Sequence, residues 1–157
     1  MTSPKVPVFG KIDKKASYVE RPGSYGFLFD SVGRIAIVQT SFGLFLPGGG
    51  VEASETGEVA LEREIFEELG YCVSYRRFLL SAIQFHWSEF YQKHFKKIGA
   101  FYHVEAAPVT AARMAEGHGL LWLAPGVASA RLAQEFQRWA LSEALSGPLA
   151  HLVRDEE

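Results

Sequence analysis

The chain contains a single cysteine, Cys72, so no internal disulfide can hold it together and its stability must come from apolar burial. It has no apolar run of about 18 residues, which excludes a membrane-spanning helix from the expected elements. The amino-terminal stretch MTSPKVPVFG lacks the apolar core of a secretory signal, and with the lone cysteine this makes a reducing cytoplasm the expected compartment. Basic residues are in no excess. The formal net charge of -2 gives no general attraction to phosphate polymers, so a nucleic-acid partner is unexpected unless a local patch holds it. Internal repeats, linkers and low-complexity segments are also missing. What is present is 157 residues with 48% apolar content, enough to bury one core, and a single domain over residues 1–157 is expected.

Tyr25 to Phe29 and Arg34 to Thr40 read as strands separated by Asp30-Ser31-Val32-Gly33, which has hairpin chemistry. Phe42 to Leu46 is a third short apolar run, ended by Pro47-Gly48-Gly49-Gly50, residues that turn the chain and let backbone approach a ligand. Thr56 to Leu69 reads as a helix with Thr56 as N-cap and Gly70 just past its end, although Val59 stands where a capping box would have glutamate. Val73 to Trp87 and Ile98 to Ala106 read as longer strands around a polar, aromatic and basic insertion, and Leu120 to Leu123 as a short one. Pro125 to Ser146 reads as one closing helix with Leu132, Phe136 and Trp139 on its apolar face. Cys72 is expected to be a small buried hydrophobe.

Seven glutamates (52, 55, 58, 62, 64, 67 and 68) fall in 17 residues that hold one base, Arg63. At helical spacing Glu64, Glu67 and Glu68 lie within about 100 degrees of arc, beside an apolar stripe of Leu61, Ile65 and Leu69. Without a cation, each of the pairs Glu64/Glu67 and Glu64/Glu68 costs the helix roughly 0.2 to 0.5 kcal/mol. A hard divalent ion removes that cost, and clustered carboxylate oxygens are the ligands Mg2+ prefers. A solvated acidic face is the competing explanation. The glycines just before the helix weigh against it, because they offer carbonyls to a metal and close approach to a phosphate. Arg63 precedes Glu67 in the poorer orientation for a helical ion pair, so tying the loop carboxylate Glu55 to the helix is its better role.

At these residues the sequence resembles the Nudix hydrolase family. The family signature is Gly, five residues, Glu, seven residues, Arg-Glu, an aliphatic, any residue, Glu-Glu, any residue, Gly and a hydrophobic. Gly49, Glu55, Arg63, Glu64, Ile65, Glu67, Glu68, Gly70 and Tyr71 fill every specified position, with aromatic Tyr71 where an aliphatic is usual. A chance match is on the order of one in ten million. The resemblance implies an α/β fold, an α/β/α sandwich with a mixed β-sheet between helices. It also implies Mg2+-dependent hydrolysis of a phosphoanhydride bond in a nucleoside diphosphate linked to a group X, with Mn2+ as a substitute ion. Carried over by position, Glu67 and Glu68 become metal ligands with the Gly48 carbonyl, and Glu64 is either a ligand or the group that activates water. Glu68 belongs to the same catalytic set, and Glu55 and Arg63 act as scaffolding. In Glu116-Gly117-His118-Gly119-Leu120-Leu121-Trp122, Glu116 is similarly placed to a loop residue that supplies a further metal ligand or base in MutT-like members.

Substrate contacts are expected from the interleaved rings and cations of His86, Trp87, Phe90, Tyr91, Lys93, His94, Phe95, Lys96 and Lys97, with Lys93 and Lys96 chosen among the cations. Arg21, Tyr25 and Phe45 are further candidates, whereas His103 reads as an ordinary strand residue. Nucleoside triphosphates are the first expected substrate, followed by sugar nucleotides and dinucleoside polyphosphates. A non-catalytic nucleotide-binding module and hydrolysis of RNA 5′ ends are the alternatives, and a homodimer is left open.

Overall fold

The computed structural model describes residues 6–109 and 118–153. Its elements are β1 (Val8–Phe9), β2 (Tyr18–Leu28), β3 (Ile35–Thr40), β4 (Gly43–Phe45), β5 (Gly48–Gly50), α1 (Gly57–Leu69), β6 (Tyr71–Ser88), β7 (Lys93–Pro108), β8 (Gly119–Leu123), α2 (Pro125–Arg131) and α3 (Glu135–Ser146), then a 3-10 turn at Ala150–Leu152. Five strands form a mixed sheet in the order β1-β6-β7-β2-β5, and β4-β3-β8 form a smaller antiparallel one. β2 runs parallel to β7 along its whole length, from Tyr18 opposite His94 to Leu28 opposite Val104.

Strand alternation sets which helix lies on which face. Phe27 and Phe101 point to one side, where they pack with Phe136, Ala140 and Leu141 of α3. The adjacent Tyr102 and Val104 point to the other side, where Leu61 and Ile65 of α1 cover them. The result is a mixed sheet with helices on both faces, as expected for the fold. None of the described helices is long and apolar enough to cross a membrane.

Several boundaries differ from the sequence reading. β2 starts at Tyr18, seven residues earlier than expected, because parallel pairing with β7 carries it through Glu20, Arg21, Pro22 and Gly23, which show no apolar alternation. The insertion between the two long strands is mostly strand itself: β6 and β7 pair out to Ser88 and Lys93, leaving a four-residue turn. The closing helix is two helices. At Leu132 the backbone turns extended (φ -56, ψ 139), and the Ala133 N–H donates to the Leu44 carbonyl at 2.9 Å, so a tertiary bond replaces a helical one. Leu132 and Phe136 are buried as expected, and Trp139 packs at the edge against Phe9. Cys72 is exposed, contrary to expectation, since it alternates outward at the start of β6. His103 lies between the rings of Phe29 and Tyr75 on a strand, an ordinary packed position.

Candidate active site

The acidic wall is built by α1. Its first turn is capped by Thr56 Oγ1, which accepts the Val59 N–H at 3.2 Å, and its last by Gly70 in the left-handed conformation, whose N–H donates to Phe66 O. Leu61, Ile65 and Leu69 are buried against the sheet, which turns the carboxylates of Glu64 and Glu68 toward β5. Glu68 Oε1 accepts the Gly48 N–H at 2.7 Å. Glu64 lies against Gly49 so closely that a Cβ there would stand 2.7 Å from its carboxyl carbon. Gly48 is fixed as glycine for a different reason: its φ of +140 is hostile to side chains, and a Cβ would meet the Ser24 carbonyl at 2.1 Å.

Arg63 organises the remaining charge. Its Nε and Nη2 bind the two oxygens of Glu55 at 2.6 and 2.8 Å, and Nη2 also donates to the Gly50 carbonyl at 3.1 Å. Its Nη1 reaches Glu64 at 3.0 Å and Glu67 at 3.3 Å. These bonds hold the Glu55 carboxyl down to about 2 and push the Arg63 guanidinium up. Burial raises the Glu64 carboxyl, and it pushes Glu68 up to about 8 against the opposing pull of the Gly48 N–H.

Among the described residues, no set of three or more His, Cys, Asp or Glu side chains converges as metal ligands do. The donor chemistry nevertheless fits a hard divalent cation. Every donor is oxygen, and partial burial raises two of the carboxylates, Glu64 and Glu68. The bare backbone of Gly49 keeps the space beside Glu64 free of side chains.

A cavity of about 260 Å3 opens beside this wall, bounded there by Gly48, Gly49, Gly50 and Glu68. Arg21, His86 and Lys97 line it too, the Arg21 guanidinium beside Gly50, together with Tyr25, Phe45, Leu46, Gln134 and Gln137. Burial, with Arg21 nearby, lowers Lys97 to about 8; burial, with Lys97 nearby, also lowers His86. Burial, reinforced by Glu68 and Glu64, raises the Tyr25 hydroxyl. A wider chamber of about 780 Å3 shares Phe45, His86 and Lys97 with the cavity and continues outward to Phe42, Trp87, Phe90 and Arg138.

The expected residues divide accordingly. Gly48, Glu68, Arg21, Tyr25 and Phe45 line one cavity, with Glu64, Arg63 and Glu55 in contact around it. Glu67 is more exposed and joins through Arg63. Lys93 and Lys96 do not line the cavity; Lys96 lies on the other strand face, 3.6 Å from Glu20, and Lys97 stands in their place. Glu116 lies outside the described residues. Gln137 was missed, although a polar residue heading the apolar series Ala140, Leu141 and Ala144 was a signal.

A family model described as the NUDIX domain matches residues 19–141. No curated protein matches the chain. Among solved structures, the chain is similar to the E. coli ORF135 protein, at TM-score 0.64 and 22% identity over 83% of this chain and 94% of that one. It is also similar to MutT from a study of Aliivibrio salmonicida and Vibrio cholerae, at TM-score 0.58 and 24% identity over 80% and 96%. A MutT NUDIX hydrolase from Burkholderia pseudomallei gives TM-score 0.59 and 26% identity over 79% and 97%. Matched by that model over most of its length, the chain belongs to the NUDIX family, whose members generally hydrolyse a nucleoside diphosphate linked to another group.

Proposed function

We propose that the protein is a Mg2+-dependent pyrophosphohydrolase that cleaves a phosphoanhydride bond in a small nucleotide, with nucleoside triphosphates as the first candidates. The observation that carries this reading is one cavity lined both by Glu68 and the glycine backbone, with Glu64 against Gly49, and by the cations Arg21 and Lys97. Glu64, Glu67 and Glu68, with the Gly48 carbonyl, would hold the ion. Bound there, Mg2+ neutralises charge on the phosphoryl oxygens and acidifies water. Arg21 and Lys97 orient the phosphate chain, and Tyr25 and Phe45 supply apolar surface beside it. Glu64 or Glu68 takes the proton of the attacking water. Arg63 and Glu55 hold the carboxylates in register with the glycine loop.

The test is phosphate release from a panel of nucleotide derivatives, with Mg2+ and with chelator, and identification of the products. Glu67→Gln should remain folded, since that side chain is 56% exposed, and should lose Mg2+-dependent turnover by orders of magnitude. Near-normal turnover in that variant ends the metal-site assignment.

A further inference from the structure

Two glutamines are buried beside α3, and only one is fully used. Gln84 is closed at both ends: its Oε1 accepts the Phe136 N–H at 3.1 Å and its Nε2 donates to the Phe85 carbonyl at 3.0 Å. Gln137 is 1% exposed, and its Oε1 accepts the Leu46 N–H at 2.9 Å. A backbone N–H can only donate, so the amide atom facing it must be the oxygen, and the orientation of the other end is thereby fixed. That end is Nε2, a pure donor. No described protein group takes its hydrogens, and Gln137 lines the cavity.

The chain segment that Gln137 holds also locates it relative to the glutamates. Gln137 binds the N–H of Leu46, and Glu68 binds the N–H of Gly48, so α3 and α1 hold the same three residues. Two residues span at most about 7 Å, so Gln137 and Glu68 are anchored on the same short segment of chain. Beside it are the apolar surfaces of Tyr25, Phe45 and Leu46. Flat apolar walls with one oriented polar group are the features of a seat for a planar ring.

We propose that Gln137 is a specificity-determining residue, with Nε2 donating to a carbonyl oxygen on the base of the bound nucleotide. The proposal rests on the pyrophosphohydrolase reading above. An oxo group at that edge accepts the hydrogen bond. An amino group would set donor against donor, and a bare carbon would leave the buried amide unpaired. Sites built around such a bond discriminate strongly against analogues that lack it.

The experiment uses the full chain and two nucleotide pairs that differ at one edge: GTP against 2-aminopurine riboside triphosphate, and UTP against CTP. kcat/KM is measured with Mg2+, and affinity is measured in parallel by calorimetry with Ca2+. The oxo member of at least one pair should be preferred by about tenfold or more, chiefly in KM and in affinity. Gln137→Glu keeps an oxygen for the Leu46 N–H and replaces the donor with an acceptor. In this variant at pH 8 the preference should collapse in KM and in affinity. Equal affinity of wild-type protein for both members of both pairs overturns the proposal, and so does a preference that survives in Gln137→Glu. Absence of turnover on every nucleotide, with the base preference intact in the affinities, overturns the hydrolase reading and keeps the Gln137 assignment.

Discussion

The two walls of the cavity are crowded in opposite senses. On one, Glu52, Glu55, Glu64 and Glu67 gather around the single cation Arg63, and Glu68 lies beside them on the Gly48 N–H. On the other, Arg21 and Lys97 stand directly opposite each other across β2 and β7, with no carboxylate partner among the described residues. Arg21 lies over ring faces, 5.2 Å from the Phe95 centroid and 6.0 Å from that of Tyr91, with Gly50 beside its guanidinium. Elsewhere Arg34 pairs with Asp30, Arg76 with Glu62 and Lys96 with Glu20. Like charges facing each other in a sheet destabilise it, as does a buried carboxylate without a counter-ion. On the proposed reading a bound cation balances the acids and the anionic nucleotide balances the bases.

The sharpest break in that comparison comes at Arg63, the one cation inside the acidic wall. Lysine keeps the charge but cannot make the forked contact with Glu55 or reach the Gly50 carbonyl at the same time. Arg63→Lys should therefore lower kcat by about 10- to 100-fold and raise the Mg2+ concentration needed for half-maximal rate. Wild-type rates in this variant would show that the wall needs only positive charge, without the fork. The pH dependence of stability gives a second reading. Glu55 has a folded-state pKa held down to about 2, so its contribution is present above the ordinary carboxylate range and is lost as pH falls toward 2. Acid unfolding of Arg63→Lys should show a weaker loss across that window.

Lys97 tests the basic wall with a smaller effect. Burial lowers it to about 8, so it is charged at neutral pH and loses its proton as pH rises through that value. KM for an anionic nucleotide should rise by about tenfold between pH 7 and 9, an effect of the size expected for one charge-assisted contact. Lys97→Gln should have a high KM at pH 7 and lose that limb of the profile. For stability the sign reverses. From about 8 up to the ordinary lysine range the unfolded chain holds a proton that the folded one has released, so folding gains with rising pH there. A flat KM across this range in the wild type would remove Lys97 from the phosphate contacts.

The two walls also differ in how far they could be read in the sequence. The acidic wall was legible because its residues lie within one helix and the turn before it, where spacing alone sets direction. The basic wall depends on strand phase. Lys93, Lys96 and Lys97 are equivalent by composition, and a one-residue slip exchanges the faces. The phase is set by burial of Phe95, which carries Lys97 to the cavity side and sends Lys96 to Glu20. Gln137 was still harder to read, since its partner Leu46 is 91 residues away. The division of the closing helix depends likewise on a distant carbonyl, that of Leu44. The extended start of β2 was hidden because it is held by parallel pairing and has little apolar alternation of its own.

The smallest predicted effect separates the charge network of the site from ordinary surface pairing. Arg76 and Glu62 form an ion pair at 2.9 Å, and Glu62 lies on α1 as Arg63 does. By distance alone it resembles the Arg63–Glu55 pair at 2.6 Å. The surroundings differ. Both Arg76 and Glu62 are 39% exposed, so water screens them and their side chains give up freedom to meet, whereas Arg63 holds three further groups in a partly buried cluster. Exposed pairs of this kind contribute about 0 to 1 kcal/mol. Arg76→Ala should therefore shift the denaturation midpoint only slightly and leave kcat, KM and the Mg2+ requirement as they are. A loss of activity comparable with that of Arg63→Lys would mean that charge on the outer face of α1 reaches the cavity, and the separation between a structural and a functional set of charges would fail.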